Sequence, residues 1–199
     1  MLDLEVIEDP AAAAVAVEPV KSQLLASLIE PSSAAALASR LGLSRQKINY
    51  HLRSLEDLGL VRVAEERVWG GLTERVMVAS AASYVVSPAA LGPAAADPRH
   101  STDRLSASYV VALAARIVRE VSGLMRQAKS AGKRLATLSL DTEIRFASAA
   151  DRAAFSRELT DAVVGLVSKY HNPAAPGGRA HRLVVAAHPL PQESHRKER

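Results

Sequence analysis

Apolar positions along this chain follow a helical period over most of its length and a two-residue period in three places. Val20, Leu24, Leu25, Leu28 and Ile29 predict a helix over 20–30, started by Pro19 and ended by Pro31. Two shorter helical patterns follow, Ala34–Leu41 and 44–58, with Gly42 between them. Gly42 stands where a tight turn needs a residue that tolerates positive φ. Ser44 is placed to cap the second helix, and Gly59 to close it. Ala38, Gly42 and Ile48 then stand at the spacing of a helix-turn-helix: a small residue at the crossing, a turn glycine and a β-branched core plug. Residues 61–68 alternate Val61 and Val63 against Arg62 and Ala64, and 73–79 return as a second strand. Trp69-Gly70-Gly71-Leu72 is the turn between them. Two strands after a recognition helix predict a winged helix.

The second helix of the motif has two faces. Ile48, Leu52 and Leu55 form a core stripe that Leu58 extends. Gln46, Asn49, Tyr50 and Arg53 lie opposite, with Arg45 and Lys47 on the first turn. From Arg40 to Arg53 there are four cations and no acid. A helix entering the major groove needs this layout, with donors near base edges and cations near phosphates. Polar residues opposite a core stripe are also what any solvated helix face carries. Arg67, Trp69 and Arg75 lie near the wing tip, where a hairpin reaches the backbone or minor groove. For Trp69 the alternative is packing at the hairpin base.

Outside the motif the patterns are less specific. Residues 1–19 read as an N-terminal arm with a short helix: Asp9-Pro10 is a cap followed by a first-turn proline. Ala11 to Val17 is apolar all round, so as a helix it needs a cover, such as a partner subunit; the alternative is a frayed lead-in. Residues 20–86 form the expected winged domain, ending in a short extended piece over 83–86, and 87–99, with three prolines, a linker. A long helix is expected from a Ser101 or Thr102 cap to about residue 131, stopped by Gly132. Its stripe (Leu105, Tyr109 or Val110, Leu113, Ile117, Val121, Leu124, Ala128) recurs at steps of three and four, as in helices that pack along helices. Dimerisation and the core of a monomeric domain are the two readings. Residues 135–146 alternate strictly, Leu138, Leu140, Ile144 and Phe146 against Ser139, Asp141, Glu143 and Arg145, which predicts a half-buried strand. A helix over Ala149–Tyr170, a second strand over 183–187 and a polar tail over 192–199 complete the chain. The expected fold is mainly α with small β: a winged helix-turn-helix, a long dimerisation helix, and a small α-β-α-β domain within 100–191.

Composition narrows the chemistry. Forty-eight per cent apolar residues suffice for a core, and no run reaches the length of a membrane span. The net charge of +4 and pI of about 9.6 lean mildly towards anionic partners. With no cysteine, disulfides, thiolate metal sites and cysteine nucleophiles are excluded. The acidic N-terminus lacks a secretory n-region, and a cytoplasmic location is the simplest reading.

At residues 19–63, PVKSQLLASLIEPSSAAALASRLGLSRQKINYHLRSLEDLGLVRV, the chain resembles the ArsR-type winged-helix repressors. INYHLRSLEDLGLV is the most specific part, and the likeness spans about 18–80, under a third of the chain. The long helix and the closing LVVAAHPLP are similar, more weakly, to a subgroup of such regulators with an extra C-terminal domain. The resemblance implies a homodimeric repressor on double-stranded operator DNA. By position it assigns DNA contacts to Ser44, Arg45, Gln46, Lys47, Asn49, Tyr50 and Arg53, with Arg67 and Arg75 in the wing. The Cys-x-Val-Cys motif by which many members sense thiophilic metals is absent, so that route is closed.

No metal site or cofactor is expected. His51, beside the core stripe, reads as a packing and hydrogen-bonding residue; His181 and His188 would fall on opposite faces of a strand; and His100 with Asp103 makes a poor zinc pair without further ligands. There is no nucleophile elbow, P-loop, HExxH or dinucleotide fingerprint, and Asp141 with Glu143 reads as a solvated face, so no enzyme is expected. A small-molecule effector is the open partner: Leu105, Tyr109, Leu113, Leu138 and Phe155 could line its pocket and serve equally well as core. Two other functions compete with sequence-specific regulation. One is a protein-interaction module, since residues 18–80 carry eight bases against seven acids, and the other a sequence-tolerant architectural DNA binder.

Overall fold

The computed structural model describes residues 1–69 and 72–191, the side chains of Trp69 and Leu72 excepted. The Gly70-Gly71 turn, the reading of the Trp69 side chain, His195 and the polar tail therefore lie outside the described residues. The chain divides into two units, Met1–Leu135 and Ala136–Arg199.

The first unit opens with β1 (Glu5–Ile7), α1 (Pro10–Ala16) and α2 (Pro19–Ser27). β2 (Ser32–Ser33), α3 (Ala34–Leu41) and α4 (Arg45–Asp57) follow, then the hairpin β3 (Val61–Trp69) and β4 (Leu72–Ala79), and β5 (Tyr84–Val86). Local chemistry explains the helix ends. Ser33 and Ser44 each accept a backbone N–H three residues on, from Ala36 and Lys47, and Gly42 takes φ 65° to turn the chain between α3 and α4. β4 is the centre of an antiparallel sheet in the order β2-β4-β3, so Val76, Met77, Val78 and Ala79 are all buried. Leu24, Leu28, Leu37, Ile48, Leu55 and Leu60 pack into one core with no more than 1% of their surface exposed. Truncating one of them to alanine costs about 2–5 kcal/mol.

The expected N-terminal arm is instead part of this core. β1 pairs in parallel with β5, Val6 opposite Val85, and the Asp9 carboxylate caps α1 by accepting from Ala12 N at 3.1 Å. Ala12, Ala13 and Ala16 are buried against the chain's own core, so the cover expected from a partner subunit is supplied from within. Tyr84 anchors β5 to the hairpin, its hydroxyl donating to Leu60 O at 2.9 Å and accepting from Ala81 N at 3.2 Å. The helix expected to reach residue 30 ends at Ser27, because Leu28 to Pro31 turn the chain towards β2.

Residues 87–99 are not a free linker. They hold short 3-10 turns at Pro88–Ala94 and Pro98–His100, with Ser87 and Pro98 buried. The long helix, α5 (Ala107–Ser130), starts five residues later than the Ser101 expectation, because Ser106 is the cap that accepts from Tyr109 N at 3.1 Å. It ends at Gly132, which has φ 61°. Ala112, Ala115 and Ser122 are its buried residues. Glu8 fastens it to the β1–α1 junction, accepting from Ser122 Oγ at 2.8 Å and pairing with Arg126 Nη2 at 2.8 Å.

In the second unit α6 (Ala149–Tyr170) forms where expected, capped by Ser148, which accepts from Asp151 N at 3.0 Å. The two strands of the expected α-β-α-β domain do not form: among the described residues there is no strand beyond Val86. Alternation marks two faces, but a strand also needs a neighbour to receive its backbone bonds. Lacking one, Leu138 and Leu140 stay 85% and 91% exposed, and α6 buries no residue. Phe146 packs on Phe155, with ring centroids 5.3 Å apart.

Candidate nucleic-acid interface

α4 separates its residues by face, as the sequence pattern requires. Ile48, Leu52 and Leu55 are buried, while Ser44, Arg45, Gln46, Lys47, Asn49, Tyr50 and Arg53 are exposed. Arg45, Asn49 and Arg53, four residues apart, form the row on the wing side. Across a cleft of about 160 Å³ they face Thr73, Glu74 and Arg75 of β4. Gln46 and Tyr50 occupy the outermost row, and the Tyr50 ring is 69% exposed, edge-on to His51 at 5.5 Å. Ser44 serves as the helix cap, its Oγ accepting from Lys47 N at 3.3 Å. Among the described residues Arg45, Lys47 and Arg53 have no carboxylate partner, so their charge is available to an anion.

The wing differs. Arg67 Nη2 pairs with Glu65 at 2.9 Å. Arg75 pairs with Glu56 at the end of α4 and lies 4.0 Å from Glu66. These hydrogen-bonded carboxylates hold both guanidinium pKa values above the ordinary arginine value. A β-bulge at Ala64 sets which residues face each other farther along the hairpin. Val63 stands opposite Met77 but Glu65 opposite Val76, so from there on the register is shifted by one. Glu66 therefore faces Arg75, and Arg67 faces Glu74. Without the shift Glu66 would face Glu74, a like-charge pair. Over 61–79 three arginines meet three glutamates, and the wing is neutral. Glu56, Glu66 and Thr73 were not among the sequence candidates. One signal was there to be read: Glu56 and Asp57 fill the last turn of a helix that has no base there, the end where acids are disfavoured.

His51, on α4, lies near Lys21 of α2. Neither ring nitrogen finds a hydrogen-bond partner among the described residues, so it packs without the bonds expected of it. Burial, and then the nearby charges of Lys21 and Lys47, hold its pKa below the ordinary 6.5. Among the described residues no group of three His, Cys, Asp or Glu is placed to hold a metal, and no helix is long and apolar enough to cross a membrane. Of the residues named for an effector pocket, Leu105, Tyr109 and Leu113 belong to the first unit and Leu138 and Phe155 to the second; Leu105 is 96% and Leu138 85% exposed. A groove of about 510 Å³ does exist in the first unit, lined by Ile7, Val17, Leu25, Ile29, Tyr84 and Val86.

A family described as a helix-turn-helix domain matches residues 18–64. No curated protein matches the chain. Among solved structures, NolR from Sinorhizobium fredii is similar at 25% identity; the match covers 36% of this chain and 67% of NolR, with a TM-score of 0.30. The matched residues span α2, α3 and α4 and reach the start of β3. A helix-turn-helix with its second helix exposed in this way supports a DNA-binding transcription regulator.

Proposed function

We propose that this protein is a homodimeric, sequence-specific DNA-binding repressor of the ArsR type. One observation carries the reading: the row of exposed polar and cationic side chains on α4, with no carboxylate partner for its cations among the described residues, while the helix's other face plugs the core. Arg45, Lys47 and Arg53 would hold phosphates, with Ser44 at the helix start. Gln46, Asn49 and Tyr50 would face base edges in one major-groove half-site. Two half-sites, about one helical turn apart, would then call for two copies. α5 supports the dimer. Val110, Ala114, Ile117, Val121, Leu124 and Ala128 alternate steps of four and three, the seam of a coiled coil. That seam runs along the side of α5 opposite Ala112, Ala115 and Ser122, the residues it buries in its own unit.

The test is a mobility-shift titration on duplexes selected from a random pool, across a range of salt. Arg45→Ala and Lys47→Ala are expected to weaken all duplexes alike, whereas Gln46→Ala and Asn49→Ala relax the preference among them. Unchanged preference in both of the latter would remove α4 from the readout. The neutral wing and the net charge of +1 over 18–80 favour one second reading, a protein-interaction module. That reading predicts no salt-sensitive shift on any duplex.

A further inference from the structure

We propose that Arg75 is a positioning residue, not a DNA ligand: held by Glu56 and Glu66, it braces the wing against the recognition helix and sets the angle at which both meet DNA. The proposal rests on the reading of α4 as the DNA-facing helix.

Three observations lead to it. First, Arg75 is doubly engaged. It donates through Nη2 to Glu56 Oε1 on α4 and lies within 4.0 Å of Glu66, directly across the β3–β4 ladder. The guanidinium thus joins both strands of the wing to the C-terminal turn of the helix. Arg45 and Arg53, on the far side of the same cleft, have no such partner among the described residues. Second, an acid in the last turn of a helix works against the macrodipole, and α4 has no base there to offset Glu56. A cation arriving from β4 compensates that placement, and Arg75 makes that contact. Third, the bulge at Ala64 is what brings Glu66 opposite Arg75. Without it Arg75 would face Glu65, which in the structure pairs with Arg67. Bulges re-aim side chains, and this one completes the second half of the brace.

A phosphate ligand and a brace respond oppositely to one substitution. Glu56→Gln deletes a negative charge close to the DNA-facing helix. If Arg75 binds phosphate, that change frees it, and affinity rises or stays level. If Arg75 is a brace, affinity falls, by roughly three- to tenfold as for other coupling residues. Salt dependence gives a second separation. Removing a phosphate contact lowers the slope of log K against log salt by about one, whereas removing a brace leaves the slope unchanged. Arg75→Lys, which keeps the charge and one bond to Glu56, is expected to restore most of the affinity lost in Arg75→Ala.

A DNA-free measurement decides the brace separately. The chain has no cysteine, so nitroxide labels on Tyr50→Cys and Val68→Cys report the distance between helix and wing without background labelling. The brace predicts a narrow distance distribution in the parent and in Arg75→Lys, broadened in Glu56→Gln and Arg75→Ala. An unchanged distribution in both of those variants overturns the brace, as does a slope lowered by about one in Arg75→Ala. A parent protein that binds no duplex sinks the DNA reading, and the label distances still decide whether Arg75 braces the wing.

Discussion

Replacing Ile117 and Leu124 of α5 together by alanine tests the dimer seam. Ile117 is 37% and Leu124 46% exposed in the single chain, on the side of the helix away from Ala112 and Ala115. Full burial of such a side chain stabilises by about 2 kcal/mol, so closing the part still exposed is worth about 1 kcal/mol each. A two-fold seam uses each residue twice, and the four side chains together contribute about 3 to 4 kcal/mol. Losing that raises the dimer dissociation constant by a factor on the order of 100 to 1000. Sedimentation velocity over a concentration series reads the constant directly. The parent should sediment as a dimer where the double variant sediments as a monomer, with its circular dichroism still helical. A parent that stays monomeric throughout, or a double variant that dimerises as tightly as the parent, refutes the seam.

Acid stability should depend on the Glu8 junction. The Arg126 hydrogen bond, reinforced by that of Ser122, lowers the Glu8 pKa below the ordinary 4.5. The contribution is thus complete above pH 4.5 and is lost as pH falls through the folded-state value. Arg126→Ala should flatten that part of a pH–denaturation profile. His51 acts through burial of the neutral ring: the unfolded chain binds its proton more readily, so stability drops as pH is lowered below 6.5. Chemical denaturation of His51→Phe should show a weaker dependence across that window. Gly42→Ala should cost about 1 kcal/mol in the same assay, because φ 65° is strained for any residue with a Cβ. A substitution that costs nothing would mean the turn relaxes without affecting α3 or α4.

Elements with local end signals were legible in the sequence. Ser44 caps the helix it was placed to cap, and Gly42 turns the chain where the spacing put it. Parallel pairing of two three-residue strands, Val6 with Val85, leaves no such signal, so the sequence reads as an arm where the structure has a paired strand. The C-terminal strands failed for a different reason. Alternation in 135–146 names the face a strand would bury and says nothing of which backbone would pair with it. At the interface, the exposed row of α4 follows from helical period alone. The approach of Glu66 to Arg75 does not, because it turns on a one-residue register shift at Ala64. Position alone puts Arg67 and Arg75 near the wing tip and leaves their carboxylate partners unnamed.

The β1–β5 pairing bears on how the protein is made. Val6 leaves the ribosome 79 residues before Val85, the residue it pairs with. At synthesis rates of about 5–20 residues per second, that is a wait of roughly 4–16 s. Through that interval the alanine face of α1 has neither its strand nor its completed core. Closure of the unit, with Tyr84 bonded to Leu60, comes only once the wing and residues up to 86 have emerged.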